Sequence, residues 1–107
     1  MPVVEPEKIK AMLDAGTPVQ VIDARPRHYF TKSNEIMAGA KWRDPDRIDD
    51  WVGELSQEKP VVVFCAYGFH VGFRTAQTLR ARGFDASFMA GGHSAWKAIG
   101  GEVEMYT

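Results

Sequence analysis

The sequence predicts an α/β fold built on an open, mainly parallel sheet, and two observations carry that prediction. Short segments rich in β-branched residues alternate with segments whose apolar residues recur at helical spacing. One of the short segments, Val61–Phe64, is apolar without alternation, as expected of a parallel strand covered on both faces. A length of 107 residues, 45% of them hydrophobic and 11% aromatic, suits one domain spanning 1–107 with its own core.

Each element has a local reason. Residues 6–15 set Ile9, Met12 and Leu13 at helical spacing, with Glu5 and Glu7 at the end where the helix dipole favours negative charge and Gly16 as a stop. Residues 19–24 (VQVIDA) read as a buried strand ending near Asp23, because Pro26 cannot donate to a continuing ladder. Between 27 and 46, aromatic and charged residues follow one another without a period, which predicts a long irregular connection with turns. Ile48, Trp51, Val52 and Leu55 then predict a helix over 47–55, with Asp46 as its N-cap. Pro60 opens the strand at 61–64. A helix over 72–82 follows, with Ala76 and Leu79 on one face, Arg80 and Arg82 in the last turn and Gly83 as C-cap. A strand at Ala86–Met89 leads into a glycine turn and a short helix carrying Ala95, Trp96 and Ile99. Trp51 and Trp96 belong to apolar helix faces, and Trp42 is expected to line the active pocket. No internal repeat or low-complexity segment is present.

Composition excludes several classes of function. Thirteen basic residues against fourteen acidic ones give a net charge of -1, which provides no global attraction for nucleic acid or an anionic membrane. The longest apolar run, 61–66, is far short of the roughly 20 residues that span a bilayer. A single cysteine cannot form an intramolecular disulfide, and MPVVEPEKIK lacks the basic and apolar regions of a signal peptide, so a cytoplasmic chain is expected. His28, His70 and His93 do not form a metal-spaced cluster, and neither a metal nor a cofactor is expected.

The lone thiol, Cys65, is placed at the carboxyl end of the most apolar strand, the edge at which parallel α/β sheets bind ligands. If residues 66–71 wrap the sulfur and a helix starts near Gly72, backbone N–H groups and the positive end of that helix face it. Such surroundings favour a thiolate and an incoming anion. Gly68 and Gly72 permit the positive φ or close backbone approach that a cradle needs. Position alone leaves a second reading equally open, in which Cys65 is a small buried hydrophobe.

Four pieces in order resemble the rhodanese-like superfamily of sulfurtransferases: VIDARP at 21–26, CAYG at 65–68 after an apolar strand, TAQTLRARGF at 75–84, and MAGGHSAWKAIGG at 89–101. The resemblance covers nearly the whole chain. It implies a five-stranded, mainly parallel sheet flanked by helices on both faces, and a catalytic Cys65 that carries sulfur as a persulfide from thiosulfate or a related small anionic donor to a thiol or cyanide. Ala66, Tyr67, Gly68, Phe69, His70, Val71 and Gly72 would then bind substrate, supported by Arg74, Asp23 and Arg25. For Asp23 and Arg25 a structural role is the better expectation, and for Arg74 a solvated one.

Two departures from the family pattern stand out. Active thiosulfate-using members often read C-R-x-G-x-R, whereas Ala66 and His70 occupy the arginine positions here. His70 restores a charge only when protonated, at an ordinary pKa of about 6.5, and a solvated loop residue is an equally open reading of it. Counted back from Thr75, the active loop is also one residue longer than usual, as in phosphatases and reductases that enclose a tetrahedral oxyanion, and it loosely resembles loops of rhodanese domains associated with chromate resistance. The C-x5-R pattern of the phosphatases would need arginine at 71, where this chain has valine. The alternatives are therefore a thiol-dependent arsenate or chromate reductase, which would require an external thiol, and a non-catalytic regulatory module, against which the retained Cys65 argues. His93 is expected to be a helix-cap neighbour in preference to a polar group of the site.

Overall fold

The computed structural model describes residues 3–65 and 70–105. In chain order the elements are β1 (Val3–Val4), α1 (Pro6–Asp14), β2 (Gln20–Asp23), α2 (Arg27–Ser33), β3 (Glu35–Met37), β4 (Ala40–Trp42), α3 (Ile48–Trp51), β5 (Val61–Phe64), α4 (His70–Ala81), β6 (Ala86–Met89), α5 (Gly92–Ala98) and β7 (Val103–Met105). Single 3-10 turns at Pro45–Arg47 and Val52–Glu54 flank α3. Five strands form one sheet in the order β1-β6-β5-β2-β4, and β3 pairs with β7 in a separate two-stranded sheet. Every pairing in the larger sheet is parallel, and the β3-β7 pair is antiparallel.

β5 is central and all four of its residues are buried, as its unbroken apolar run predicts. The pleat sends alternate residues to opposite faces. Val62 and Phe64 join Ile9 of α1 and Trp96 of α5 on one side. Val61, Val63 and Cys65 meet Trp51 of α3 and Ala76 and Leu79 of α4 on the other. Helices therefore cover both faces. Gly16 and Gly83, at φ 73 and 93, end α1 and α4 in the left-handed conformation the sequence assigns them.

Several expectations are corrected. The stretch over 27–46 is not an irregular connection, since it holds α2, β3, β4 and the first 3-10 turn. β4 exists because Val21, Ile22 and Asp23 supply a partner for Ala40, Lys41 and Trp42, a pairing with no local signature. The helix over 47–55 is broken into a turn of α-helix between two 3-10 turns. Its lead-in is capped by Asp44, not Asp46: the Asp44 carboxylate accepts from the Asp46 N–H at 3.0 Å, with Pro45 in the first turn. α4 starts at His70, two residues before Gly72. β1 and β7 are further strands that the sequence pattern does not reveal. Trp51 and Trp96 are core, at 4% and 2% exposure. Among the described residues no helix is long and apolar enough to cross a membrane.

Gly72 shows why α4 can enter so close to the sheet. Its φ lies outside the left-handed region, so close approach and not a positive φ is what requires glycine. A Cβ there would stand 2.7 Å from Cε1 of Phe88 and 3.3 Å from the backbone nitrogen of Cys65. The Phe88 ring is 3% exposed and meets Phe73 edge-on, leaving it little room to turn away. Gly72→Ala gains helix propensity of about 1 kcal/mol, but overpacking costs about 1–3 kcal/mol. The expected net result is a lower denaturation midpoint, and a raised midpoint would show that the helix can back off freely.

Candidate active site

Cys65 immediately follows β5 and is 5% exposed. Its side chain lies in the apolar cluster with Ala24, Ala76 and Phe88, against which Val71 and Phe73 of α4 also pack. The first turn of α4 thus sits beside the thiol at the carboxyl rim, where the helix end carries its positive partial charge. The Cys65 carbonyl accepts a hydrogen bond from the backbone N–H of His93 at 2.8 Å. This bond ties the end of β5 to the start of α5.

Of the substrate-binding residues expected from the sequence, Val71 and Gly72 are placed in that first turn, half-buried and buried respectively. Ala66, Tyr67, Gly68, Phe69 and the His70 side chain lie outside the described residues, as does the expected lengthening of the loop. Arg74 is exposed on α4 and lines a cavity with Pro26 and Asp46.

Asp23 and Arg25 form a buried pair at the end of β2, at 0% and 3% exposure. The Arg25 guanidinium meets the carboxylate through Nε at 2.9 Å and Nη2 at 2.7 Å, and the Arg25 backbone N–H donates to Asp23 Oδ1 at 2.9 Å. Arg25 Nη2 also donates to the Glu35 carbonyl at 2.7 Å, while its own carbonyl accepts from Trp42 Nε1 at 2.8 Å. The geometry is that of a strut joining β2 to β3 and β4. Trp42 belongs to it: its indole packs on the Trp96 side of the sheet and carries the Arg27 guanidinium 5.1 Å above its ring.

A second polar chain reaches the back of Cys65, and two of its members carry no signal in the sequence. The His93 ring is buried against Phe64, with centroids 6.2 Å apart and planes at 16°. Its Nε2 is 3.2 Å from Glu35 Oε1, which Lys97 Nζ also approaches to 2.6 Å. This network assigns the proton to Nε2 as donor. Nδ1 is buried with no hydrogen-bond partner among the described residues. Phe64 and Cys65 project to opposite faces, so His93 supports the backbone of Cys65 from behind. Glu35 is 58 residues away in sequence, and neither it nor Lys97 sits in a pattern that would single it out.

The ionisation of this chain follows from its surroundings. Lys97 above all, with His93 adding to it, holds the Glu35 carboxyl below its ordinary range. Burial, reinforced by the Arg25 charge, pushes His93 down, against the opposing pull of Glu35 and Asp23. The unfolded chain therefore takes up this proton at a higher pH than the native protein does. The His93 contribution to stability is complete above about pH 6.5 and is lost as pH falls below it toward the lowered native value. Urea unfolding from pH 7.5 to 5 should show the midpoint dropping in the parent and dropping less in His93→Gln. Equal slopes would remove His93 as the cause. Among the described residues no group of three or more His, Cys, Asp or Glu is gathered that could hold a metal ion.

A fully parallel α/β sheet with a thiol at the carboxyl end of its central strand, beside the first turn of the following helix, defines a class of cysteine-centred domains. The rhodanese-like domain family model matches residues 5–99, and the chain belongs to that family. A comparison with curated proteins yields no match. Among solved structures, the chain is similar to the rhodanese-like domain of an Anabaena sp. protein, with 29% identity over 98% of this chain and 80% of that one and a TM-score of 0.84. It is likewise similar to a rhodanese-like domain protein of Staphylococcus aureus, with 26% identity over 100% of both chains and a TM-score of 0.83. A Rhodopseudomonas palustris protein of unknown function, described as a possible tyrosine phosphatase, matches 97% of this chain and 85% of its own with a TM-score of 0.83. At 20% identity that likeness carries the fold alone.

Proposed function

We propose that the chain is a sulfurtransferase that carries sulfane sulfur on Cys65. The observation that carries this reading is the position of Cys65 at the carboxyl rim of the central strand, beside the first turn of α4, in a chain of the rhodanese-like family. The Cys65 thiolate attacks the outer sulfur of thiosulfate, the sulfur–sulfur bond of the donor breaks, and sulfite leaves with the electron pair. Cys65 persulfide remains. An acceptor thiolate, or cyanide, then attacks the outer persulfide sulfur and returns Cys65 as thiolate. Thiolate and thiosulfate are both anionic, so the first step needs the N–H groups of residues 66–72, the α4 dipole and His70 when protonated to offset their repulsion. With Ala66 in place of a loop arginine, the site has less fixed positive charge than the thiosulfate-using pattern, and turnover with thiosulfate should be modest.

The experiment is intact-mass measurement after incubation with thiosulfate and removal of excess reagent. A gain of about 32 Da on Cys65 that cyanide reverses is the expected result. An unchanged mass would overturn the reading and leave the non-catalytic module or the oxyanion reductase.

A further inference from the structure

A groove runs between α4 and the segment from Pro45 to α3. Its upper part is a cavity of about 200 Å³ walled by Pro26, Ile48, Val71 and Thr75 and lined as well by Asp46 and Arg74. Ile48 and Val71 also pack on the apolar cluster that contains Cys65, and Pro26 follows the carboxyl end of β2, so the cavity lies on the catalytic rim. A second cavity, of about 330 Å³, shares Asp46, Ile48 and Thr78 with it and continues the groove toward Arg82.

The charges along this groove are not alike. In the lower part Arg47 meets Asp50 and Arg82 meets Asp49, each at 2.6 Å, so these four neutralise one another. In the upper part Asp46 and Arg74 stand on different elements, and among the described residues neither makes an ion pair. Two opposite charges on residues that line one small cavity and do not pair with each other are complementary to a molecule carrying both an ammonium and a carboxylate. The volume is below the roughly 300–1,000 Å³ that holds a drug-sized ligand, which suits a single amino acid.

We infer that this groove is the docking site of the acceptor in the second half-reaction, and that the acceptor is a zwitterionic amino-acid thiol, its ammonium on Asp46, its carboxylate on Arg74 and its sulfur directed past Val71 toward Cys65. The inference rests on the persulfide reading above. The acceptor thiolate attacks the outer sulfur, a new sulfur–sulfur bond forms on the acceptor, the Cys65 sulfur–sulfur bond breaks, and its electron pair stays on Cys65. Arg74 thereby acts on the acceptor and not on the anionic donor.

The test uses the full chain loaded with thiosulfate and three acceptors: cysteine, cysteamine, which lacks the carboxylate, and 3-mercaptopropionate, which lacks the ammonium. Acceptor KM values in the parent, Asp46→Asn and Arg74→Gln are each compared with that for cyanide. Asp46→Asn should raise the relative KM of cysteine and cysteamine above that of 3-mercaptopropionate, and Arg74→Gln should raise that of cysteine and 3-mercaptopropionate above that of cysteamine. Each rise should be about two- to fivefold, the size of one exposed ion pair. A uniform change across all three acceptors, or none, would overturn the assignment. S-methylcysteine, which cannot accept sulfur, separates this idea from the reaction itself. It should shift the backbone amide resonances of Asp46, Arg74 and Thr75 saturably in the parent and more weakly in both variants, whether or not Cys65 carries sulfur. Absence of a saturable shift would sink the groove even where the 32 Da adduct forms, whereas a saturable shift without the adduct would keep the groove and reject the transfer chemistry.

Discussion

Cys65→Ser is expected to lose sulfur transfer from thiosulfate to cyanide by at least about a thousandfold, because the serine hydroxyl is a weak nucleophile that cannot carry sulfur as a persulfide and the chain has no other thiol to replace it. The structural cost is smaller. A hydroxyl placed where the thiol is 5% exposed, among Ala24, Ala76 and Phe88, costs about 1–3 kcal/mol if it finds no partner. A native protein with a total stability of about 5–15 kcal/mol survives that loss. Circular dichroism should therefore show a folded variant with a slightly lower midpoint and no activity. Cys65→Ala, which adds no polar group, separates the two effects: it should be equally inactive and closer to the parent in stability. Turnover within tenfold of the parent in either variant would rule out a Cys65 persulfide.

The largest effect on stability is expected at the Asp23–Arg25 strut. Arg25→Leu strands the Asp23 carboxylate at 0% exposure, and removing one partner of a buried ion pair typically costs about 3–5 kcal/mol, a large share of the total. Three hydrogen bonds aggravate the loss, since the Glu35 carbonyl loses its Arg25 donor and the Asp23 oxygens lose two. Asp23→Leu should be comparably damaging because it leaves a buried guanidinium. Replacing both residues, as Asp23→Leu with Arg25→Met, should cost less than either single change, because no charge is then left uncompensated. Urea unfolding of the two single variants and the double one measures this coupling. Single losses below about 1 kcal/mol, or strictly additive ones, would mean that water solvates the pair.

Much of the fold is legible in the sequence because its signals are local. Val61–Phe64 announces a strand covered on both faces, Ile9 and Met12 announce one helix face, Ala76 and Leu79 another, and Gly16 and Gly83 mark stops that the backbone realises with positive φ. The position of Cys65 at the strand end follows from the same run. Errors gather where an element exists only through a distant partner. Three residues, Ala-Lys-Trp, have no reason to be a strand until Val21 to Asp23 lies alongside, and Glu35 to Met37 waits on Val103 to Met105. The expected Asp46 cap failed by two residues because Pro45, which cannot donate a backbone hydrogen bond, makes Asp44 the residue from which the turn is capped.

Local pattern is enough for the parallel α/β class and for a single thiol at the carboxyl end of its most buried strand, because hydrophobic periodicity and glycine stops act over a few residues. The company that thiol keeps arises from the assembled fold: the His93 amide behind its carbonyl, Glu35 and Lys97 behind His93, and Asp46 and Arg74 lining one groove. These groups come from segments tens of residues apart, and sheet order, not local pattern, determines which of them meet. Hydrogen bonds and charge complementarity act over a few ångströms, so their identity emerges only once chain closure has brought those segments together.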